Sequence, residues 1–256
     1  MSATATLSTL GFILIAMVLS LWLKLKLERD ILIATIRAGI QLMAIGYVLQ
    51  LIFAADQWYY ILGMILLSIT VAARNSASRG AGIPWIFTRV FVTIATVCGF
   101  TLGMMLLLDM IEPRPQTLIP LSGMLVGNSM VVSSLLLNRI KENAETMKEE
   151  IWVALSLGAT GAQASRRATH RAIRAGMIPM IDSMKTVGLV QLPGMMTGLI
   201  LAGTSPVEAV RYQLLVMFSF TASSALVSIL LGLMVYPTLF NSAHQFVGWQ
   251  QTEGDK

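Results

Sequence analysis

The chain has 256 residues, of which 55% are hydrophobic and only 12% charged, and its mean hydropathy is +0.74. Soluble domains carry about a quarter charged residues, so this composition excludes a water-soluble fold and predicts a polytopic, all-α membrane protein. The net charge of +5 and isoelectric point near 9.6 do not call for nucleic acid, because Lys and Arg collect on the cytoplasmic side of membrane proteins.

A bilayer core takes about 20 apolar residues per helix, and seven runs approach that length. The first covers Leu7 to Leu23 and stops at Lys24, Lys26 and Arg29. It lacks a basic flank and a small-residue cleavage site, so it reads as a retained helix. The second covers Ile31 to Phe53, with Asp30 as its expected N-cap. The third is Trp58 to Ala73, and the fourth is Pro84 to Leu108 with Pro84 in its first turn. The fifth is Leu118 to Leu137, the sixth Ser183 to Ala202 and the seventh Leu214 to Tyr236.

Orientation follows from the basic residues. With the N-terminus outside, the inner segments hold Lys24, Lys26, Arg29, Arg74, Arg79, Arg139, Lys141, Lys148, Arg166, Arg167, Arg171 and Arg174. The outer segments hold only Arg114 and Arg211. The C-terminus is then inside. One membrane domain occupies 1–256, and its single sizeable polar segment, 138–180, is expected to be cytoplasmic.

Within that segment Ile140, Ala144, Met147, Ile151 and Leu155 form one apolar helical stripe. Lys141 and Glu145 are spaced to pair on its surface. Gly158 suits a left-handed helix stop, and Thr160 with Gln163 forms a capping box for a second helix. The segment therefore predicts helix, tight turn, helix: a protruding elbow. Ser205 and Glu208, with Pro206 between them, predict a second capping box that opens a short helix after the sixth run.

Gly99 with Gly103, Gly123 with Gly127, and Gly194 with Gly198 have GxxxG spacing, which predicts close helix packing, with one pair able to line a dimer. In the sixth run Pro193, Gly188 and Gly194 weaken the helix ladder, and Gln191 adds a polar side chain. A broken membrane helix frees carbonyls, which in transporters often face the substrate path; a simple kink packed by neighbours is the alternative. Asp182 and Lys185 are expected to pair at the cytoplasmic boundary. Asn128, in the fifth run, needs a partner: another helix or a substrate. Arg89 is expected to snorkel to water, and Arg37 is open to a functional role.

Methionine is abundant, at 17 residues. Thioethers suit soft ions and hard ions prefer oxygen, although Met more often fills packing gaps; Met195 and Met196 flank Pro193. A single cysteine, Cys98, excludes an intrachain disulfide. No GxxxxGK[ST] loop is present, and only His170 and His244 are available. Neither a zinc site nor a nucleophilic triad can be assembled.

Several stretches carry a resemblance: Leu27 to Leu32 (LERDIL), Arg37 to Leu42 (RAGIQL), Gly46 to Leu49 (GYVL), Ile119 to Val131 (IPLSGMLVGNSMV), Leu155 to Thr160 (LSLGAT) and Ile181 to Ile200 (IDSMKTVGLVQLPGMMTGLI). From Leu27 to His244 the chain resembles the FetB-type iron-export ABC transporter permeases, a family that includes plant aluminium-tolerance permeases. The resemblance implies a permease subunit of an ATP-driven exporter of iron or a related metal, working with a separate cytoplasmic ABC ATPase. This chain would bind no cofactor, with ATP and Mg on the partner. The elbow resembles an ABC coupling loop, which implies ATPase coupling through Ala154, Gly158, Ala159, Thr160, Gln163, Arg166 and Arg167. It departs from the importer pattern, with Trp152 in place of the usual Glu and Pro179 later than the pattern's Pro.

A single elbow per chain implies a homodimer in the cytoplasmic (inner) membrane. The candidate substrate path comprises Asn128, Asp182, Lys185, Gln191, Pro193, Met195 and Met196. Alternatives are a permease for another substrate such as a nucleotide-sugar, a secondary transporter or a membrane scaffold. Deep acidic or His residues in several helices would mark a secondary transporter, and they are missing. Copurification with a soluble ATPase separates the first reading from the others.

Overall fold

The computed structural model describes residues 10–55, 57–190, 192–241 and 245–249. Among them the structure is helical apart from turns, loops and isolated β-bridge positions, with Phe240 bridged to Phe246. The chain divides into two units, Met1–Gln57 and Trp58–Lys256.

The first unit holds α1 (Leu10–Trp22) and α2 (Glu28–Ala55). Their connection is tied by Ser20, whose hydroxyl donates to Glu28 Oε1 at 3.1 Å and accepts the Leu27 N–H at 3.1 Å. Lys24 and Lys26 turn the chain with positive φ. Asp30 is not the N-cap expected from the sequence. The helix opens at Glu28, and both carboxylates sit in its first turn, where they complement the helix dipole. Phe12, Trp22, Leu42, Met43 and Leu51 are exposed. An apolar surface of this kind is what lipid covers.

The second unit is a bundle of α3 (Trp58–Arg79), α4 (Ile86–Leu107), α5 (Pro115–Thr146), α6 (Lys148–Ser156), α7 (Gly161–Thr186), α8 (Gly194–Leu201) and α9 (Pro206–Val235), closed by a 3-10 turn, Tyr236–Leu239. The long α5 packs against α3, α4, α7 and α9. Its core contacts centre on Val90, Ile94, Leu125, Leu136, Leu137 and Leu231, all essentially inaccessible. Small residues permit close approach: Ala72, Ala73 and Ser76 of α3 are buried, and the Ser76 hydroxyl donates to the Met130 carbonyl at 2.9 Å. Helices α5 and α9 carry further buried hydroxyls. Ser129, Ser133 and Ser228 have no side-chain hydrogen-bond partner.

Five helices, α2, α3, α4, α5 and α9 with its terminal turn, are long and apolar enough to cross a membrane. Helix α1 is apolar but shorter. The fifth run does not end at Leu137, because α5 continues to Thr146. The predicted stripe is interrupted at Met147, where α6 begins a new axis, yet Ile140, Ala144, Met147 and Ile151 are all buried. Pro84 lies ahead of α4, not in its first turn, and Trp85 caps the helix with φ 54. Half of the second capping box is present, with the Glu208 N–H donating to the Ser205 hydroxyl. It opens the last span itself and not a separate short helix.

The sixth run is not one helix. Helix α7 carries Pro179 inside it and ends at Thr186. Gly188 then takes φ +83, and α8 restarts at Gly194 with Pro193 as its N-cap. Proline at that position loses no intrahelical bond, so it delimits α8 and does not kink a continuous helix.

Among the described residues, none of the GxxxG pairs mediates close packing. A Cβ added at Gly99, Gly103, Gly123, Gly127, Gly194 or Gly198 would meet nothing within 4 Å. The close approaches are elsewhere. A Cβ on Gly80 would lie 2.7 Å from Ile86, one on Gly161 2.9 Å from Phe240, and one on Gly232 3.2 Å from Ile173.

Candidate docking elbow and membrane path

The elbow is built as its residues require. Helix α6 ends at Ser156, and Gly158 turns the chain with φ +86, a conformation costly for residues with a Cβ. The Thr160 N–H donates to Gln163 Oε1 at 2.9 Å, and the Gln163 N–H donates to Thr160 Oγ1 at 3.3 Å. Both members of the capping box therefore satisfy orphan donors at the start of α7. The two arms are braced to each other: Arg167 pairs with Glu150, and Asn143 Nδ2 donates to the Ala168 carbonyl at 3.2 Å. Lys141 does not pair with Glu145. Its ammonium donates to the Ala81 carbonyl at 3.0 Å, joining α5 to the α3–α4 turn.

Among the expected coupling residues, Gly158, Thr160, Gln163, Arg166 and Arg167 are exposed, and Ala154 and Ala159 are half-buried. Beside them are three apolar side chains that spacing alone did not single out as contacts. Leu157 is 83% exposed, and Trp152 and Val153 are exposed as well. They lie on α6 and its turn, outside the helices long enough to span a membrane. An exposed apolar cluster on a polar segment marks an interaction surface.

The candidate path residues sort by depth. Helices α7 and α9 run antiparallel, with three contacts fixing their register. Gly161 sits at Phe240, Gly176 beside the Ser228 hydroxyl, and the Met184 thioether accepts from the Thr221 hydroxyl at 2.8 Å. Arg211 and Tyr236 bracket the apolar part of α9. Thr221 is roughly 15 Å along the helix from Arg211 and roughly 22 Å from Tyr236, so Met184 lies level with the middle of α9. Asp182 and Lys185 are its neighbours. They do pair, Nζ to Oδ1 at 3.2 Å, level with the middle of α9. Both side chains are more than half exposed on the single chain.

Asn128 reaches the same level. Its Nδ2 donates to Ser224 Oγ at 2.8 Å and to the Phe220 carbonyl at 3.4 Å, which makes its partner another helix. Gln191 lies outside the described residues. Its neighbours Leu189 and Val190 are 92% and 80% exposed. Met195 is carried by α8 to the far end of the bundle, where it joins Asp109, Glu112, Gln116, Met124 and Tyr212 in a cleft of about 740 Å³. Met196 is half-buried and does not line that cleft. The chain thus climbs from one end of the bundle at Gly161 to the other at Met195 through the broken segment. Sequence reasoning missed Asp109 and Glu112, since they fall in a connection and form no motif. No group of three His, Cys, Asp or Glu side chains among the described residues converges as a metal site.

Arg89 is half-buried. Its guanidinium donates to the Met234 carbonyl and, through Nε, to the Pro84 carbonyl at 3.1 Å. It ties the start of α4 to the end of α9. Arg37 is exposed on α2.

A multi-pass helical membrane protein with a polar helix–turn–helix elbow is the class these features define. The match to uncharacterised protein family UPF0014 covers residues 4–240, and the chain belongs to that family. It is 49% identical to the UPF0014 membrane protein YjkA of Bacillus subtilis, over 93% of this chain and 94% of that one. It is 41% identical to the probable iron export permease protein FetB of Escherichia coli K12, over 93% and 92%. Identity to ALUMINUM SENSITIVE 3 of Arabidopsis thaliana is 33%, over 93% and 87%. No solved structure matches the chain.

Proposed function

We propose that the chain is the permease subunit of an ATP-driven ABC exporter that moves iron or a related metal ion out of the cell. The observation that carries this reading is the 41% identity, nearly end to end, to a protein named as an iron export permease. In this reading two copies assemble in the inner membrane, each with its N-terminus outside and C-terminus inside. The short α1 and the broken α7–α8 segment complete seven crossings. Each elbow docks a separate ATPase, which binds ATP and Mg²⁺, through Ala154, Gly158 to Thr160, Gln163, Arg166 and Arg167, with Trp152, Val153 and Leu157 adding apolar contact.

The path follows the broken segment. An ion pair facing lipid at mid-depth is costly, and intramembrane charges face a bundle interior or a water-filled cavity. The Asp182–Lys185 pair therefore favours a cavity between the two copies. Iron ions are hard and prefer oxygen donors, so Asp182, Asn128 and Gln191 are better candidate contacts than Met195 or Met196. Pro193 holds the break open at its outer end. The test is transport in vesicles containing the chain and its copurified ATPase, with ferrous iron, cuprous copper and a nucleotide-sugar as competing cargoes. ATP-dependent iron movement that falls with Pro193→Ala or Asp182→Asn supports the reading. Equal rates in parent and both variants, or no ATPase copurifying, overturns it.

A further inference from the structure

The basic half of α7 carries two columns of cations with different surroundings. Arg167 and Arg171 face α6: Arg167 pairs with Glu150, and an Arg171 N–H points at the Met147 thioether at 3.8 Å. Arg166, His170 and Arg174 recur every four residues and so share a separate face. Among the described residues neither Arg166 nor Arg174 has a carboxylate partner. This column lines a cleft of about 650 Å³ between α7 and α9. The opposite wall is apolar, with Ile173 of α7 and Ile229 and Leu233 of α9, and Tyr236 sits at its end.

The cleft lies at the depth where lipid headgroups begin. The run of α9 from Arg211 to Tyr236 is roughly 37 Å long, against a hydrocarbon core of about 30 Å. The hydrocarbon therefore ends within about a turn of Leu233. Gly232 packs against Ile173, which sets Arg174 near that boundary and His170 and Arg166 progressively beyond it. Ile229 and Leu233, both about half exposed, lie on the hydrocarbon side. Cations stepping outward from an apolar wall complement a molecule with an anionic head and hydrocarbon tails. The cytoplasmic leaflet supplies such molecules, and the positive end of the bundle faces it.

We propose that the α7–α9 cleft binds an anionic phospholipid, with Arg166 and Arg174 on its phosphate and its acyl chains along Ile229 and Leu233. This inference rests on the membrane-spanning fold and the proposed orientation, needs no metal cargo, and takes for the lipid the Arg166 side chain that the proposed function lends to the ATPase.

The test uses the purified full chain with phosphatidylglycerol, phosphatidylcholine or inorganic phosphate, read by native mass spectrometry and by thermal unfolding in nanodiscs. Phosphatidylglycerol should be retained in preference to phosphatidylcholine. The double variant Arg166→Gln, Arg174→Gln should weaken its retention roughly thirtyfold, since each basic side chain at an anionic surface contributes about fivefold. The double lysine variant should retain it, and all proteins should unfold alike in pure phosphatidylcholine. The assignment is overturned if the glutamine variant holds phosphatidylglycerol as the parent does, or if both lipids bind equally. Displacement by inorganic phosphate at equal concentration overturns it too, because the ligand is then a free anion. A glutamine variant that keeps its lipid but loses a copurifying protein gives the column to a protein partner and equally overturns it.

Discussion

The hydroxyl of Thr221 donates to the thioether of Met184 at 2.8 Å, which places the adjoining Asp182–Lys185 pair level with the middle of α9. Both side chains are more than half exposed; facing the proposed aqueous cavity an unpaired member costs about 0–1 kcal/mol, whereas facing lipid it would cost about 2.5–3.5 kcal/mol. We predict that Asp182→Asn and Lys185→Gln each leave the thermal midpoint in nanodiscs close to the parent's. A large loss in the singles that the double variant recovers would place the pair against lipid or packed protein and remove the cavity.

Asn128 and Ser224 join α5 to α9 at 2.8 Å. Hydrogen bonds between membrane helices average about 0.6 kcal/mol and reach about 1.7. A double-mutant cycle with Asn128→Ala and Ser224→Ala should give a coupling in that range. Additive single effects would mean that the bond contributes nothing.

Gly158 holds φ +86 with no neighbour within 4 Å of a notional Cβ. A substitution there meets backbone strain and no steric clash. Gly158→Val should cost about 1–3 kcal/mol locally and weaken ATPase copurification while the spans stay folded. Full ATPase binding by the valine variant would remove the turn from the docking surface.

The glycines divide cleanly. Gly80→Ala and Gly161→Ala drive a methyl into Ile86 and Phe240 and should each destabilise by about 1–3 kcal/mol, the usual cost of overpacking. Gly123→Ala meets open space and should leave the monomer's unfolding unchanged. The reverse ranking in thermal scans would contradict the packing.

Cys98 is buried and is the only cysteine, so an introduced thiol reports alone. Leu157→Cys should react with a membrane-impermeant maleimide only in inside-out vesicles, and Val207→Cys only in right-side-out cells. Labelling of Leu157→Cys from outside would invert the topology.

Much of this was legible in the residues. Thr160 with Gln163 and Ser205 with Glu208 formed the predicted caps, because capping is local chemistry within a few residues. Gly158 ended its helix for the same reason. The break between Thr186 and Gly194 was legible only as a weakness, since hydropathy is continuous across it and a sliding window counts one span. The depth of Asp182 was not legible, because it depends on the register of α7 against α9. GxxxG spacing misled, since the glycines that pack closely, Gly80, Gly161 and Gly232, are set by tertiary contact and follow no local pattern.

The unpartnered hydroxyls of Ser129, Ser133 and Ser228 have a mechanical consequence. Among the described residues, Asn128 supplies the side-chain hydrogen bonds between α5 and α9, and the serines, all on the C-terminal side of that contact, add none. A seam with one polar tie would let α9 rock about Asn128 without breaking a row of bonds. Crosslinks between cysteines replacing Ser133 and Ser228 should form at nucleotide-dependent rates if it rocks, while crosslinks at the pivot should not change.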